Sequence, residues 1–261
     1  MVSTRLTDLR RPVVLFAFSG WNDAGDAATG VIDHLTESYE TEFAFQLDPD
    51  EYYDLTENRP VLVRQDDGER SVQWATTELL VAHLPERDLV LVNGPEPNLR
   101  WKGFSAALVS AFRSIGPERV IAMGSMLADA PHSRPVPVSE DGTDYEGPTG
   151  IVGVLAGACR DAGLTTTSLW ASVPHYVAEP PNPKATLALL RRLGEFLDTE
   201  LDEHDLPQMA ATWEARVTDL VGDDPDIAEY VTGLEQRYDT AEATGDEIAY
   251  EFERYLRRRG R

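Results

Sequence analysis

The residues able to do chemistry gather in a few glycine- and proline-rich segments. The stretch GWNDAGDAATG (residues 20–30) follows the apolar run VVLFAFS and holds Asn22, Asp23 and Asp26. A strand that turns through glycines into a helix is a common place to hold a ligand. Its glycines, Gly20, Gly25 and Gly30, match neither a dinucleotide fingerprint nor a P-loop, and no lysine follows. Asp23 and Asp26 would fill the helix N-terminus with their own charge. Their three-residue spacing resembles a capping box. Helix capping is therefore the first reading of this pair; a polar or cationic ligand, a metal ion or a subunit contact are the others.

Four further clusters have the same character. NGPEPNLRWKG (residues 93–103) gathers Asn93, Glu96, Arg100 and Lys102, with Glu96 placed as a general base or as a salt-bridged carboxylate. GSMLADAPHSRPVPV supplies Ser125, Asp129, His132 and Arg134, types used in nucleophilic catalysis, but without the G-x-S-x-G elbow. YEGPTG offers Glu146 and Thr149, the latter as an N-cap. PHYVAEPPNP offers His175. The 5 histidines fall into no H-x-H or H-E-x-x-H spacing, so no metal site and no cofactor are expected.

The elements around these segments set their placement. PVVLFAF, DLVLVNG and RVIAMGS read as buried strands, TTTSLWASV as another, and EFAFQL as a further strand. A helix is expected from Asp23 to about Tyr39. Trp101, Phe104, Leu108, Phe112 and Ile115 mark a second helix, closed by Gly116-Pro117. IVGVLAGACRDAG predicts a third, ended by Gly163. Asn182 with Pro183 announces a fourth, whose face carries Leu190, Leu193, Leu197 and Leu201. Val61 and Val63 on one side of Asp67-Gly68, and Val72 and Trp74 on the other, predict a hairpin. TELLVAHL fits strand or helix. Residues 127–150 are too polar and kinked for a regular element and too long for a plain connection.

Strands alternating with helices predict a three-layer α/β/α domain with a mixed, largely parallel sheet, over residues 1–200. The hairpin is what suggests the mixing. Residues 201–261 carry no strand signal and predict a small all-helical appendage. Its stripes are Trp213, Val217, Leu220 and Val221; Ile227, Tyr230, Val231 and Leu234; and Ile248, Phe252, Tyr255 and Leu256. Each stripe needs a surface, from this chain or from a partner. The polar segments all follow predicted strand ends, which in an open α/β sheet lie along one edge where ligands bind.

The chain has 261 residues and a formal net charge of -23. That charge argues against a nucleic-acid partner. The single cysteine, Cys159, excludes an internal disulfide framework. The first residues lack the apolar core of a signal peptide, and no apolar run is long enough to span a bilayer. A cytoplasmic protein without a membrane role is expected.

Read together, GWNDAGDAA, GPEPNLRWKGF, GSMLADAPHSRPVPV, YEGPTGIVGVL and SLWASVPHYVAEPPNPKATLALL resemble the PAC2 family, the proteins grouped with proteasome assembly chaperone 2. The similarity runs over about residues 12–201. It is closest to the actinobacterial branch with its helical C-terminal extension. The resemblance implies a phosphorylase/hydrolase-like fold, shared with purine nucleoside phosphorylases. It also implies homo-oligomers, trimers among them, and leaves the activity open. Two roles follow from it: a non-enzymatic, assembly-chaperone-like protein binder, or a small-molecule enzyme using the strand-end loops. Relatives of the first kind dock through a C-terminal hydrophobic-Tyr-any tail. Here the sequence ends Arg259-Gly260-Arg261 with Tyr255 further inside, a departure from that pattern.

Overall fold

The computed structural model of the protein describes residues 6–65, 68–140 and 146–241. Its centre is a seven-stranded sheet in the order β2-β5-β6-β1-β7-β9-β8. The middle of it is parallel: β6 (Asp88–Asn93), β1 (Val13–Phe16), β7 (Arg119–Ala128) and β9 (Thr166–Pro174). At one flank β5 (Glu78–His83) and β2 (Thr41–Gln46) run antiparallel. At the other, β8 (Val138–Glu140) pairs antiparallel with β9.

The central strands are apolar at every position because both faces are covered. Val13, Leu15 and Ala17 point to one side, where they meet α1 (Ala27–Ser38) and α5 (Pro183–Leu197) through Val31, Ile32, Leu189 and Leu193. Val14, Phe16 and Phe18 point to the other, where they meet α3 (Trp101–Ile115) and α4 (Ile151–Asp161) through Phe104, Phe112, Ile151 and Leu155. This is the three-layer α/β/α arrangement expected. A short helix, α2 (Pro49–Tyr52), follows β2. The helix α6 (Leu206–Gly222) leans on α5, and α7 (225–241) follows it. Val217, Val221 and Val231 form a small core between these two helices, packed against Tyr176 and Val177. The third apolar stripe expected, at Ile248–Leu256, lies outside the described residues.

Four expectations need correction. The hairpin forms, as β3 (Val61–Arg64) and β4 (Arg70–Gln73), but as a separate two-stranded sheet. The mixing of the main sheet comes instead from β2, β5 and β8; TELLVAHL, which fitted strand or helix, resolves as β5. Residues 127–150 are not wholly irregular, since β7 runs on to Ala128 and Val138–Glu140 adds an edge strand. Finally, α1 begins at Ala27, because Gly25 and Asp26 are left-handed, at φ 65° and 50°.

Candidate functional site

The carboxyl ends of β1, β6, β7 and β9 bring the polar segments to one edge of the sheet. There they separate into two clusters with different chemistry.

The first cluster is a buried knot of side chains bonded to backbone. Asp23 Oδ1 accepts from the Ala28 amide at 2.7 Å and from Ser125 Oγ at 3.2 Å. Its Oδ2 accepts from the Thr29 hydroxyl and, at 3.3 Å, from the Thr29 amide. Asp23 thus caps α1 from outside the helix, across the turn made by Gly25 and Asp26. The capping-box expectation fails in its second half, since Asp26 occupies the cap position, is exposed and makes no side-chain cap bond. Burial drives the Asp23 carboxyl above its ordinary pKa, and the four hydrogen bonds oppose that rise without cancelling it.

Asn22 and Glu96 do the same for α4. Glu96 Oε1 accepts from the Ile151 amide at 2.8 Å, and Asn22 Oδ1 from the Val152 amide at 3.3 Å. The cap residue of α4 is Gly150, not Thr149, and it contributes no side-chain bond. A Cβ at Gly150 would sit 2.1 Å from Asn22 Oδ1 and 2.6 Å from Glu96 Oε1. Only glycine lets two remote loops reach the first amides of this helix. Ser125 completes the knot. Its amide donates to Asn22 O at 2.8 Å, and its hydroxyl donates to Ala24 O at 2.9 Å. Asn182 caps α5 as expected, accepting from the Ala185 amide at 3.0 Å. Its own amide donates to Gly25 O at 2.8 Å, which ties α5 to the opening loop.

The second cluster clasps α6 and α7 to the domain. His132 is buried; Nδ1 lies 2.8 Å from the Tyr176 hydroxyl and Nε2 3.1 Å from Thr218 Oγ1. Burial, reinforced by Lys184, holds this imidazole below its ordinary pKa, against the pull of Glu214 and Glu235. Lys184 bridges His132 O to Glu214. Arg134 bonds Asp239 at 2.7 Å and lies 3.4 Å from Glu235. His175 faces Asp129 at 3.4 Å and stacks edgewise on Tyr176 and Tyr230. Burial pushes the Tyr176 hydroxyl up to about 12.

The remaining candidates stand apart. Asn93 donates to Asp33, and Arg100 lies 3.5 Å from Glu51 with its guanidinium over the Tyr52 ring. Lys102, Glu146 and Thr149 are exposed. Ser125 and His132 belong to different clusters, so no Ser–His pair forms between them. Among the described residues no group of three or more His, Cys, Asp or Glu is placed to hold a metal ion, and no helix is long and apolar enough to cross a membrane.

Two depressions border these clusters. One, of about 760 Å³, lies between α5 and α6, and its charges are largely paired with one another, as in Lys184–Glu214. The other, of about 910 Å³, opens beside Asp23 and Asp26 and reaches Trp170 and Glu140. Its exposed lining combines apolar side chains, Trp21 at 63% accessible and Leu127 at 52% with Met126 beside them, with the charged Asp26, Glu140 and Arg160. The apolar wall residues were missed in the sequence because each reads as part of a neighbouring strand or turn. The available signal was a tryptophan in a turn, between Gly20 and Asn22.

The model of the family described as PAC2 family matches residues 17–221. The chain is similar to a PAC2 family protein from Streptomyces avermitilis, with 45% identity over 84% of this chain and 99% of that one, at a TM-score of 0.80. It is similar as well to the proteasome-assembly chaperone homologue Rv2125 of Mycobacterium tuberculosis, with 44% identity, the same coverages and a TM-score of 0.77. PbaB of Pyrococcus furiosus, an archaeal proteasome activator, shares the fold at 16% identity and a TM-score of 0.64, over 84% of this chain and 97% of that one. No curated protein matches. A matched span covering most of the chain and two relatives at this identity establish the relationship: the chain belongs to the PAC2 family.

Proposed function

We propose that this protein is an assembly-chaperone-like protein binder that acts as a homo-oligomer in the cytoplasm, without chemical turnover. One observation carries the reading. Asp23, Glu96 and Asn22 at the strand-end edge are committed to this chain's own backbone, while Trp21, Met126 and Leu127 beside them offer exposed apolar surface. An apolar surface of this kind suits a protein contact better than acid–base work. The 44% identity to a proteasome-assembly chaperone homologue points the same way.

A phosphorylase-like enzyme would need cationic charge at that edge to offset Asp23 and Asp26. Arg100 and Arg134 are the strand-end arginines, and they lie against Glu51 and against Glu235 with Asp239. Arg160, which does border the cavity, donates to Ser168. The test is sedimentation velocity of the purified protein with proteasome α- and β-subunits from its source. A saturable complex and a changed yield of assembled particles are expected. Absence of any complex, together with saturable thermal stabilisation by a nucleoside or phosphate and measurable turnover, would overturn the reading.

A further inference from the structure

The groove between α5 and α6 differs in charge from the rest of the molecule. The chain carries 46 acidic side chains and 23 basic ones. The lining of this groove reverses that ratio, with Arg134, Lys184, Arg191 and Arg192 against Glu195 and Glu214. Each of the four cations has a carboxylate partner. A guanidinium nevertheless has five N–H donors, and Arg191 uses two of them on Glu203. The network can therefore take further acids. Between the charges lie Pro135, Val136, Val138, Ala188 and Ala211, none of them fully buried. A concavity of about 760 Å³ is large enough for a few aromatic or branched side chains.

The chain leaves α7 beside this groove. Arg134, part of its lining, holds Asp239 at 2.7 Å, and the described residues end two positions later, at Ala241. Residues 242–253 then supply five acids, Glu242, Asp246, Glu247, Glu251 and Glu253, and no base. Ile248, Phe252, Tyr255 and Leu256 recur at i, i+4, i+7 and i+8, the apolar pattern of one helix face. Thr244 and Glu247 stand at capping-box spacing just ahead of it. As a helix, residues 246–256 would measure about 16 Å, and α5 rises by about 16 Å from Lys184 to Glu195 along the groove. Stripe, acids and length thus match the floor, the cations and the extent of the groove.

We infer that residues 246–256 dock in the α5–α6 groove of their own chain, with the apolar stripe on the Val136–Ala211 floor and the acids toward Arg191 and Arg192. Only residues 242–245 separate the segment from α7. So short a tether presents it to the groove at a far higher effective concentration than a second copy in dilute solution can reach. The run Arg257, Arg258 and Arg259 then falls at the end of the groove that holds Glu195.

A fluorescent peptide of residues 244–261, titrated against the full-length protein, tests it. Phe252→Asp with Leu256→Asp detaches the chain's own segment and frees the groove. By anisotropy this variant is expected to bind the peptide saturably. The wild type is expected to bind it on the order of a hundredfold more weakly, because its tethered segment competes at millimolar effective concentration. Adding Ala211→Glu to the variant, at an exposed position where circular dichroism checks the fold, is expected to abolish binding. Oxidation of a chain carrying both Phe252→Cys and Ala211→Cys gives a second readout. The cross-link is expected within one chain, at the denatured monomer mass of 28.9 kDa, with the native Cys159 buried and out of reach. Equal peptide affinity for wild type and variant, no binding to either, or binding that survives Ala211→Glu would each overturn the docking. A cross-link that forms only between chains means that the groove takes the segment of a second copy, and overturns it as well.

Discussion

The knot around Asp23 and the clasp around His132 sit at the same edge of one sheet, yet they are held by different physics. In the knot, side-chain oxygens of the buried Asp23 and Asn22 and the partly buried Glu96 accept from backbone amides of α1 and α4. In the clasp, half-exposed ion pairs and ring contacts around the buried His132 hold α6 and α7. Buried bonds to neutral donors resist salt, and removing one acceptor strands a donor away from water. Exposed ion pairs are screened and individually weak. The lesson is that one edge can combine a rigid frame with an attachment that solution conditions adjust.

The sharpest way to break this contrast is Gly150→Ala. The new methyl group would collide with both Asn22 and Glu96, at an expected destabilisation of about 3 kcal/mol in urea titration. Asp23→Ala comes next, at about 2 kcal/mol, since it strands the Ala28 and Thr29 amides and the Thr29 hydroxyl. Asp23→Asn keeps an acceptor and is expected to cost about half of that. Arg134→Ala should cost only about 0.5 kcal/mol, and that difference should vanish in high salt. A Gly150→Ala loss no larger than the Arg134→Ala loss, or equally sensitive to salt, would erase the distinction.

The finest test is pH. His132 titrates below 6.5 in the fold, so the folded protein binds fewer protons than the unfolded chain just below that value. Its contribution is complete above 6.5 and is lost as pH falls through the depressed pKa. Asp23 has the opposite sign. Its pKa is raised from 3.8, so its contribution is complete below 3.8 and declines as pH rises through the raised value. Hydrogen exchange at about pH 7 and about pH 5 should show α6 amides opening more readily in acid, relative to those of α1. Equal changes in the two helices would argue that the clusters titrate as one.

Much of this edge was legible because the sheet follows local rules. The apolar runs at Val13–Phe16 and Asp88–Asn93 could only be buried strands, and Asn182-Pro183 announced its helix outright. The start of α1 was misplaced because Asp26 adopts a left-handed conformation that nothing beside it in sequence requires. The three-residue strand β8 was hidden among prolines, since its pairing with β9 is its whole reason to be extended. The partners of His132 and Arg134 lie 86 and 105 residues away, in helices that could only be read as stripes in search of a surface. Chemistry-bearing types were visible, but which of them serve as caps and which as clasps depended on distances no spacing contains.

The glycine at the head of α4 has a kinetic consequence. The bonds converging on it close chain segments of 55 and 130 residues, from Glu96 to Ile151 and from Asn22 to Val152. Contacts that span so much chain carry a large closure entropy and slow the search for the native state. The knot can set only after β1, β6 and β7 have aligned their loops, so α4 docks late. Slowly refolding molecules should therefore show a formed sheet while the first turn of α4 still exchanges freely with water.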